Sequence, residues 1–230
     1  MCGTSIDTVT DLMYHTVHRS CTNWYTHDVV NTDDPHPESN AAPGTDGDRR
    51  AQLVDAAVDH VTAHGIADLS LRRLGAAIGV SHRMLIHYFG TKEQLLVEIV
   101  RASERRQRDL LSRLHAGPGL SPADVARLLW HQLTDPRLAD QERLFFEICG
   151  HALQGRPEAV PILEGLVTDW LEPLVAAEVA AGADPVAARN RARLGLATVR
   201  GLLLDLLATG DRAGVDAAME EFLRLYYGLE

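Results

Sequence analysis

The stretch from Leu71 to Leu96, LRRLGAAIGVSHRMLIHYFGTKEQLL, constrains the fold of this chain more than any other. Ser70 is a good N-cap, and Leu71, Leu74 and Ile78 follow at i, i+3 and i+7, the spacing of one helical face. Gly79 supplies the left-handed conformation that ends that helix and turns the chain. Ser81 caps a second helix, in which Leu85 and Phe89 share a face. Thr91 and Gln94 form a capping box that opens a third helix at Lys92. Two short helices joined by a Gly-containing turn make the helix-turn-helix layout, whose second helix lies in the major groove of DNA. Any small helical hairpin shares such caps, so the outward side chains carry the argument. Opposite Leu85 and Phe89 stand Arg83, Met84 and His87. Arg reads guanine bidentately, Met offers apolar contact, and His donates to bases or phosphate. Lys92 stands at a helix N-terminus, where free backbone N–H groups favour a phosphate.

A net charge of −10 looks wrong for a nucleic-acid binder until it is divided along the chain. Residues 1–47 hold one Arg and seven acids, and residues 116–230 hold ten Arg and seventeen acids. Residues 48–115 hold eleven basic and eight acidic side chains, so the only basic third contains the helix-turn-helix. No apolar run is long enough to span a bilayer, and no basic-then-apolar leader opens the chain, so no membrane partner is expected. Three scattered cysteines, Cys2, Cys21 and Cys149, suit a reduced cytoplasmic setting without a disulfide framework.

Residues 1–47 show no sustained pattern and read as a disordered extension. His15, His18, Cys21 and His27 are acceptable zinc ligands, but finger spacings are absent and no metal site is assigned. A first helix is expected from about Asp48 to His64, with Leu53, Ala57 and Val61 inward. Arg49 and Arg50 at its start are either solvated charges or an arm touching the DNA backbone. A long helix runs from Lys92 to about His115, its arginines mostly on a solvated face, and Gly117-Pro118-Gly119 ends it. Beyond that, helices are expected from Pro122 to before Pro136, Ala139 to Leu153, Glu158 to Ala181, Pro185 to Ala208 and Val215 to Tyr227. Pro173 should kink or break the third of these. No stretch alternates as a strand does.

Enzymatic material is weak. There is no phosphate-cradling Gly-rich loop, metalloprotease helix or nucleophile elbow. Cys149 and His151 are two apart on a helix and point in different directions. No cofactor is implied.

Val80-Ser81, Leu85, Tyr88-Phe89-Gly90-Thr91-Lys92-Glu93 and Leu95-Leu96 resemble the signature of the TetR-type (tetracycline-repressor-like) regulators, with the likeness running from about Arg49 to Arg101 and more loosely through the C-terminal helices. Where that family usually has a phosphate-touching Tyr, this chain has Ile86, and His87 or Tyr88 is left to supply the contact. The resemblance implies an all-α chain in which residues 48–95 form a three-helix helix-turn-helix domain and residues 96–230 a helical ligand-binding and dimerisation domain. The DNA-facing set is then Arg49, Arg50, Ser70, Arg72, Ser81, His82, Arg83, Met84, His87, Tyr88 and Lys92. Trp130, His131, Phe145, Phe146, Cys149 and Trp170 are the candidates to line a small-molecule cavity, although helices this long also need aromatics as core. Leu194, Ala197, Gly201, Leu204, Phe222, Leu225 and Tyr226 are the candidates to pair with a second copy. The expected partners are a double-stranded DNA operator, a small-molecule effector and an identical subunit, and the expected role is a repressor released by its ligand. A ligand-binding helical protein without operator binding, or an enzyme using the C-terminal cavity, are the rival readings.

Overall fold

The computed structural model describes residues 45–66, 69–116 and 119–229. The first described helix, α1 (Asp46–His64), starts two residues before the expected position. Thr45 accepts from the Asp48 amide, and the Asp48 carboxylate accepts from the Thr45 amide, so two orphan donors are satisfied at once. The potential ligands His15, His18, Cys21 and His27, and nearly all of the extension, lie outside the described residues.

Eight more helices follow: α2 (Leu71–Ala77), α3 (His82–Phe89), α4 (Lys92–Ala116), α5 (Pro122–Leu133), α6 (Ala139–Leu153), α7 (Thr168–Ala180), α8 (Pro185–Thr209) and α9 (Arg212–Tyr227). Short 3₁₀ turns at Pro136–Leu138 and Val160–Leu163 join neighbours. The caps are the expected ones at Ser70, Ser81 and Ser121, each hydroxyl accepting from a first-turn amide. Helix α9 begins earlier than Val215 because Asp211 accepts from the Gly214 amide.

The expected helix from Glu158 to Ala181 is corrected. Its first part is the 3₁₀ turn, held by buried Ala159 and Ile162, and Gly165 at φ +74° separates it from α7. Pro173 does not break α7; the interruption lies upstream, where Pro161 and Gly165 both disfavour an α-helix.

One core collects Leu53, Ala57 and Val61 of α1, Leu74 of α2, Leu85 and Phe89 of α3, and Leu95, Val97 and Ile99 of α4. It continues into Leu144, Phe145 and Ile148 of α6. The same apolar packing thus spans the helix-turn-helix and the C-terminal helices, with α4 between them. A second core joins Leu111 to Val125, Leu129 and Trp170. A third joins Trp130 to Leu203, Met219 and Leu223. No described helix is long and apolar enough to cross a membrane.

The turn between α2 and α3 depends on Gly75, which is buried. Its carbonyl accepts from the Val80 amide at 2.8 Å, and a Cβ on it would stand 2.7 Å from the Val80 carbonyl oxygen. That neighbour is backbone and cannot swing away. Gly75→Ala is therefore expected to cost about 1–3 kcal/mol by forcing the two helices apart. Urea unfolding with an unchanged midpoint would show that the turn has slack.

Candidate nucleic-acid interface and internal cavity

Helix α3 turns Leu85 and Phe89 into the core and leaves Ser81, His82, Arg83, Ile86 and His87 exposed. Arg72 on α2 is exposed as well. Arg72, Arg83 and Lys92 make no ion pair among the described residues, so their charges are available to an anionic partner. Lys92 occupies the first turn of α4, behind the reciprocal Thr91–Gln94 capping bonds at 3.1 Å.

Three members of the expected DNA-facing set sit differently. Met84 and Tyr88 are half-buried and pack against the core, because the α3 face is wider than Leu85 and Phe89 alone. Tyr88 also faces Asp46 and Arg49 across a surface cleft, and its hydrogen bond with the Asp46 carboxylate raises its phenol pKa. Arg50 is committed inward: it donates to Glu98 of α4 at 3.2 Å and lies 5.1 Å from the centroid of the Phe89 ring. Of the α1 pair, Arg49 is the more exposed, bonded to Gln52 at 3.3 Å. Ser70 and Ser81 spend their hydroxyls on caps, at 3.2 Å and 3.1 Å. Ile86, at 43% exposed, is the large apolar side chain on the outer face, a position for contact with a thymine methyl that hydropathy alone does not single out.

The second feature is a partly open cavity of about 120 Å³ lined by α4 to α9. Trp130, Phe145 and Trp170 line it. His131, Phe146 and Cys149 do not, which corrects the expectation for those three. His131 follows Trp130 by one residue, is rotated about 100° away, and is exposed. Phe146 packs between two cores, and Cys149 lies against the first core, where burial pushes its thiol up to about 11 and leaves it a poor nucleophile. Phe222 and Tyr226, expected on an outer face, line the cavity instead, with the Tyr226 hydroxyl 3.3 Å from Glu178.

Composition gives no hint of the polar group at one end of this cavity. Glu104 of α4 accepts from the Trp170 indole at 2.7 Å and from Arg200 of α8 at 3.3 Å. Arg200 also donates to the Leu166 carbonyl at 2.9 Å and lies 5.2 Å from the Phe145 ring centroid. Glu142 of α6 accepts from the Gln107 amide at 2.7 Å. Burial raises both carboxyl pKa values, and the neighbouring Glu104 pushes Glu142 further, to about 8. Among the described residues no group of three His, Cys, Asp or Glu side chains is placed to hold a metal ion.

Residues 53–99 match the family model for bacterial regulatory proteins of the tetR family. That segment, from within α1 to the first turns of α4, is similar to the TetR-type helix-turn-helix. The HTH-type transcriptional regulator BetI of Agrobacterium fabrum is 38% identical over 72 residues, 31% of this chain and 35% of that protein. The chain thus spans about a third of the length of the curated relatives it matches. A Rhodococcus transcriptional regulator superposes with a TM-score of 0.58 at 24% identity, over 78% of this chain and 94% of the other. The multidrug binding protein EbrR, in complex with imidazole, superposes with a TM-score of 0.50 at 28% identity, over 78% and 90% of the two chains. The TetR-type match falls on α1 to α3 and the start of α4, the region that carries the exposed Arg83 and the half-buried Lys92.

Glu142 also bears on stability. Its carboxyl keeps a proton in the folded chain up to about pH 8, whereas the unfolded chain releases it near 4.5. Folding therefore takes up a proton in that window, and stability falls as pH rises through it. Glu142→Gln keeps the Gln107 bond and removes the titration. Its stability relative to wild type is expected to grow by up to about 1.4 kcal/mol per pH unit between pH 5 and 8. Parallel denaturation profiles for the two proteins across that range would contradict the buried, protonated state.

Proposed function

We propose that this chain is a dimeric, ligand-responsive transcriptional regulator that binds operator DNA through α3, most simply a repressor released by a small molecule in the cytoplasm. The observation that carries this is the exposed, unpaired Arg83 on the second helix of a TetR-type helix-turn-helix. Arg72, His82, His87 and Ile86 complete the outward surface, with Lys92 and Arg49 as phosphate contacts. Residues 48–95 serve as the DNA-reading part and residues 96–230 as the effector and dimerisation part. The EbrR likeness supports the reading of the cavity as a small-molecule site. The chain is read as a regulator and not as an enzyme on the strength of the TetR-type match over residues 53–99.

Two recognition helices must meet two half-sites about one helical turn apart, so a dimer has a functional reason. Leu194, Ala197, Gly201 and Leu204 make one exposed stripe along α8, and Leu225 adds to it from α9. Leu194, Leu204 and Leu225 are 58%, 50% and 66% exposed, which supports a second copy as their cover. Ligand in the cavity acts on the DNA end through α4. This helix of 25 residues, about 37 Å long, carries Lys92 at one end and Glu104 and Gln107 at the cavity.

Gel retardation with DNA fragments selected from random sequence tests the central claim. Arg83→Ala is expected to lose about 1–3 kcal/mol of discrimination at one base pair. Lys92→Ala is expected to weaken binding to every sequence and to lower the salt dependence. A wild-type chain that retards no fragment selectively would leave a ligand-binding protein without operator function.

Leu204→Arg is expected to give monomers or aggregates, because an unpaired charge would be buried between subunits. Sedimentation showing an unchanged dimer would move the contact to another face.

A further inference from the structure

The cavity walls carry two carboxylates, Glu104 and Glu142, and one guanidinium, Arg200. Arg200 is already occupied by Glu104, the Leu166 carbonyl and the face of Phe145. Glu142 is 3% exposed, lines the cavity, and has the neutral Gln107 amide as its hydrogen-bond partner among the described residues. A carboxyl so placed must hold either a proton or a cation, because an isolated buried charge is strongly disfavoured. An anionic ligand would meet two carboxyls across a guanidinium that is already paired. The remaining wall is aromatic and aliphatic, with Trp130, Phe222 and Tyr226 facing the same space. Aromatic faces attract organic cations. The free volume, about 120 Å³, is near the ~150 Å³ of an apolar cavity that admits benzene, which limits the ligand to about one ring.

We propose that the cavity takes a small organic monocation, with its charge against the Glu142 carboxylate and its apolar body against the aromatic wall. This rests on the reading of the cavity as an effector site. The exchange is balanced: the neutral Glu142 carboxyl releases its proton to solvent, and the cation takes the proton's place beside the carboxylate. The charged or titratable groups facing Glu142 are Glu104 of α4 and Arg200 of α8; farther along the walls stand His115 of α4 and Tyr226 and Tyr227 of α9, and Cys149 follows on α6 itself. The Trp170 indole from α7 donates to Glu104.

The full chain, without DNA, is titrated calorimetrically with N-methylpyridinium, its uncharged isostere toluene, and benzoate. The permanent charge of the first removes any titration of the ligand. At pH 8 the cation is expected to bind at least tenfold more tightly than either other probe. Below that pH its affinity is expected to fall by up to tenfold per unit as the proton competes, with proton release visible in buffers of different ionisation enthalpy. Glu142→Gln is expected to remove both the charge preference and the pH dependence, leaving toluene binding unchanged. Should that variant not fold, the wild-type pH profile and proton release decide the matter alone. The proposal is overturned if the isostere or benzoate binds as tightly, if the cation binds without pH dependence, if a folded Glu142→Gln binds the cation like wild type, or if the cation does not bind at all. Operator retardation separates the two readings. Cation binding by a chain that recognises no operator would refute the regulator and keep the cation site, whereas an operator-binding chain indifferent to the cation would do the reverse.

Discussion

The burial of α4 holds the described structure together. Its first half offers Leu95, Val97, Ile99 and Val100, each nearly inaccessible, to the core shared with α1, α2, α3 and α6. Its second half places Leu111 in a separate core with α5 and α7. A helix packed along its length moves as a body, because close-packed interiors transmit displacement and do not absorb it. Arg106 fastens the same helix to Asp55 and Asp59 of α1, at 2.9 Å and 2.6 Å. Arg50 ties α1 to Glu98 from the other side. These pairs are partly exposed and contribute little energy each, but they fix the rotation of α1 on α4, and so the pose of the helix-turn-helix.

Around the middle of α4 the chain gives up apolar packing for a buried polar group. Glu104, Gln107, Glu142, Trp170 and Arg200 come from four helices and meet at one end of the cavity. Such groups are expensive to bury and are weak evidence for stability. What they provide is a place where a change in charge is felt. Any ligand that alters the state of Glu142 acts on Gln107, and Gln107 belongs to the helix that begins at Lys92. The polar cluster and the outward surface beside Lys92 are therefore linked by covalent helix geometry as well as by packing.

Most of the helix-turn-helix could be read without coordinates because its signals are local. Ser70, Ser81, Thr91 and Gln94 are caps whose partners lie within three residues, and each makes the bond its position implies. Gly79 takes its left-handed conformation at φ +73°. Local signals do not settle a side chain that has more than one use. At the start of α1, Arg50 reads equally as a solvated charge or as an arm contact to DNA, and only the fold sets Glu98, 48 residues away, beside it. Met84 and Tyr88 lie at the margins of a helical face, where periodicity does not decide between core and surface. Pro161 and Gly165 outweigh the apolar residues around them, and the ten residues from Glu158 to Val167 fall outside the helix expected there.

The sequence by itself determined the class of fold, the helix boundaries set by caps and turns, and the outward chemistry of α3, because all of these follow from interactions within a few residues. Only the tertiary structure decided which residues share the cavity. Trp130 and His131 are neighbours in the chain, yet one faces inward and the other is exposed, according to how α5 is rotated against α8 and α9. Glu104, Glu142 and Arg200 have no common motif and are separated by tens of residues. Their meeting depends on three long-range helix packings made at once. The charge environment at that point, and with it the chemistry of the ligand the cavity can accept, is a property of those packings and not of any segment of the chain.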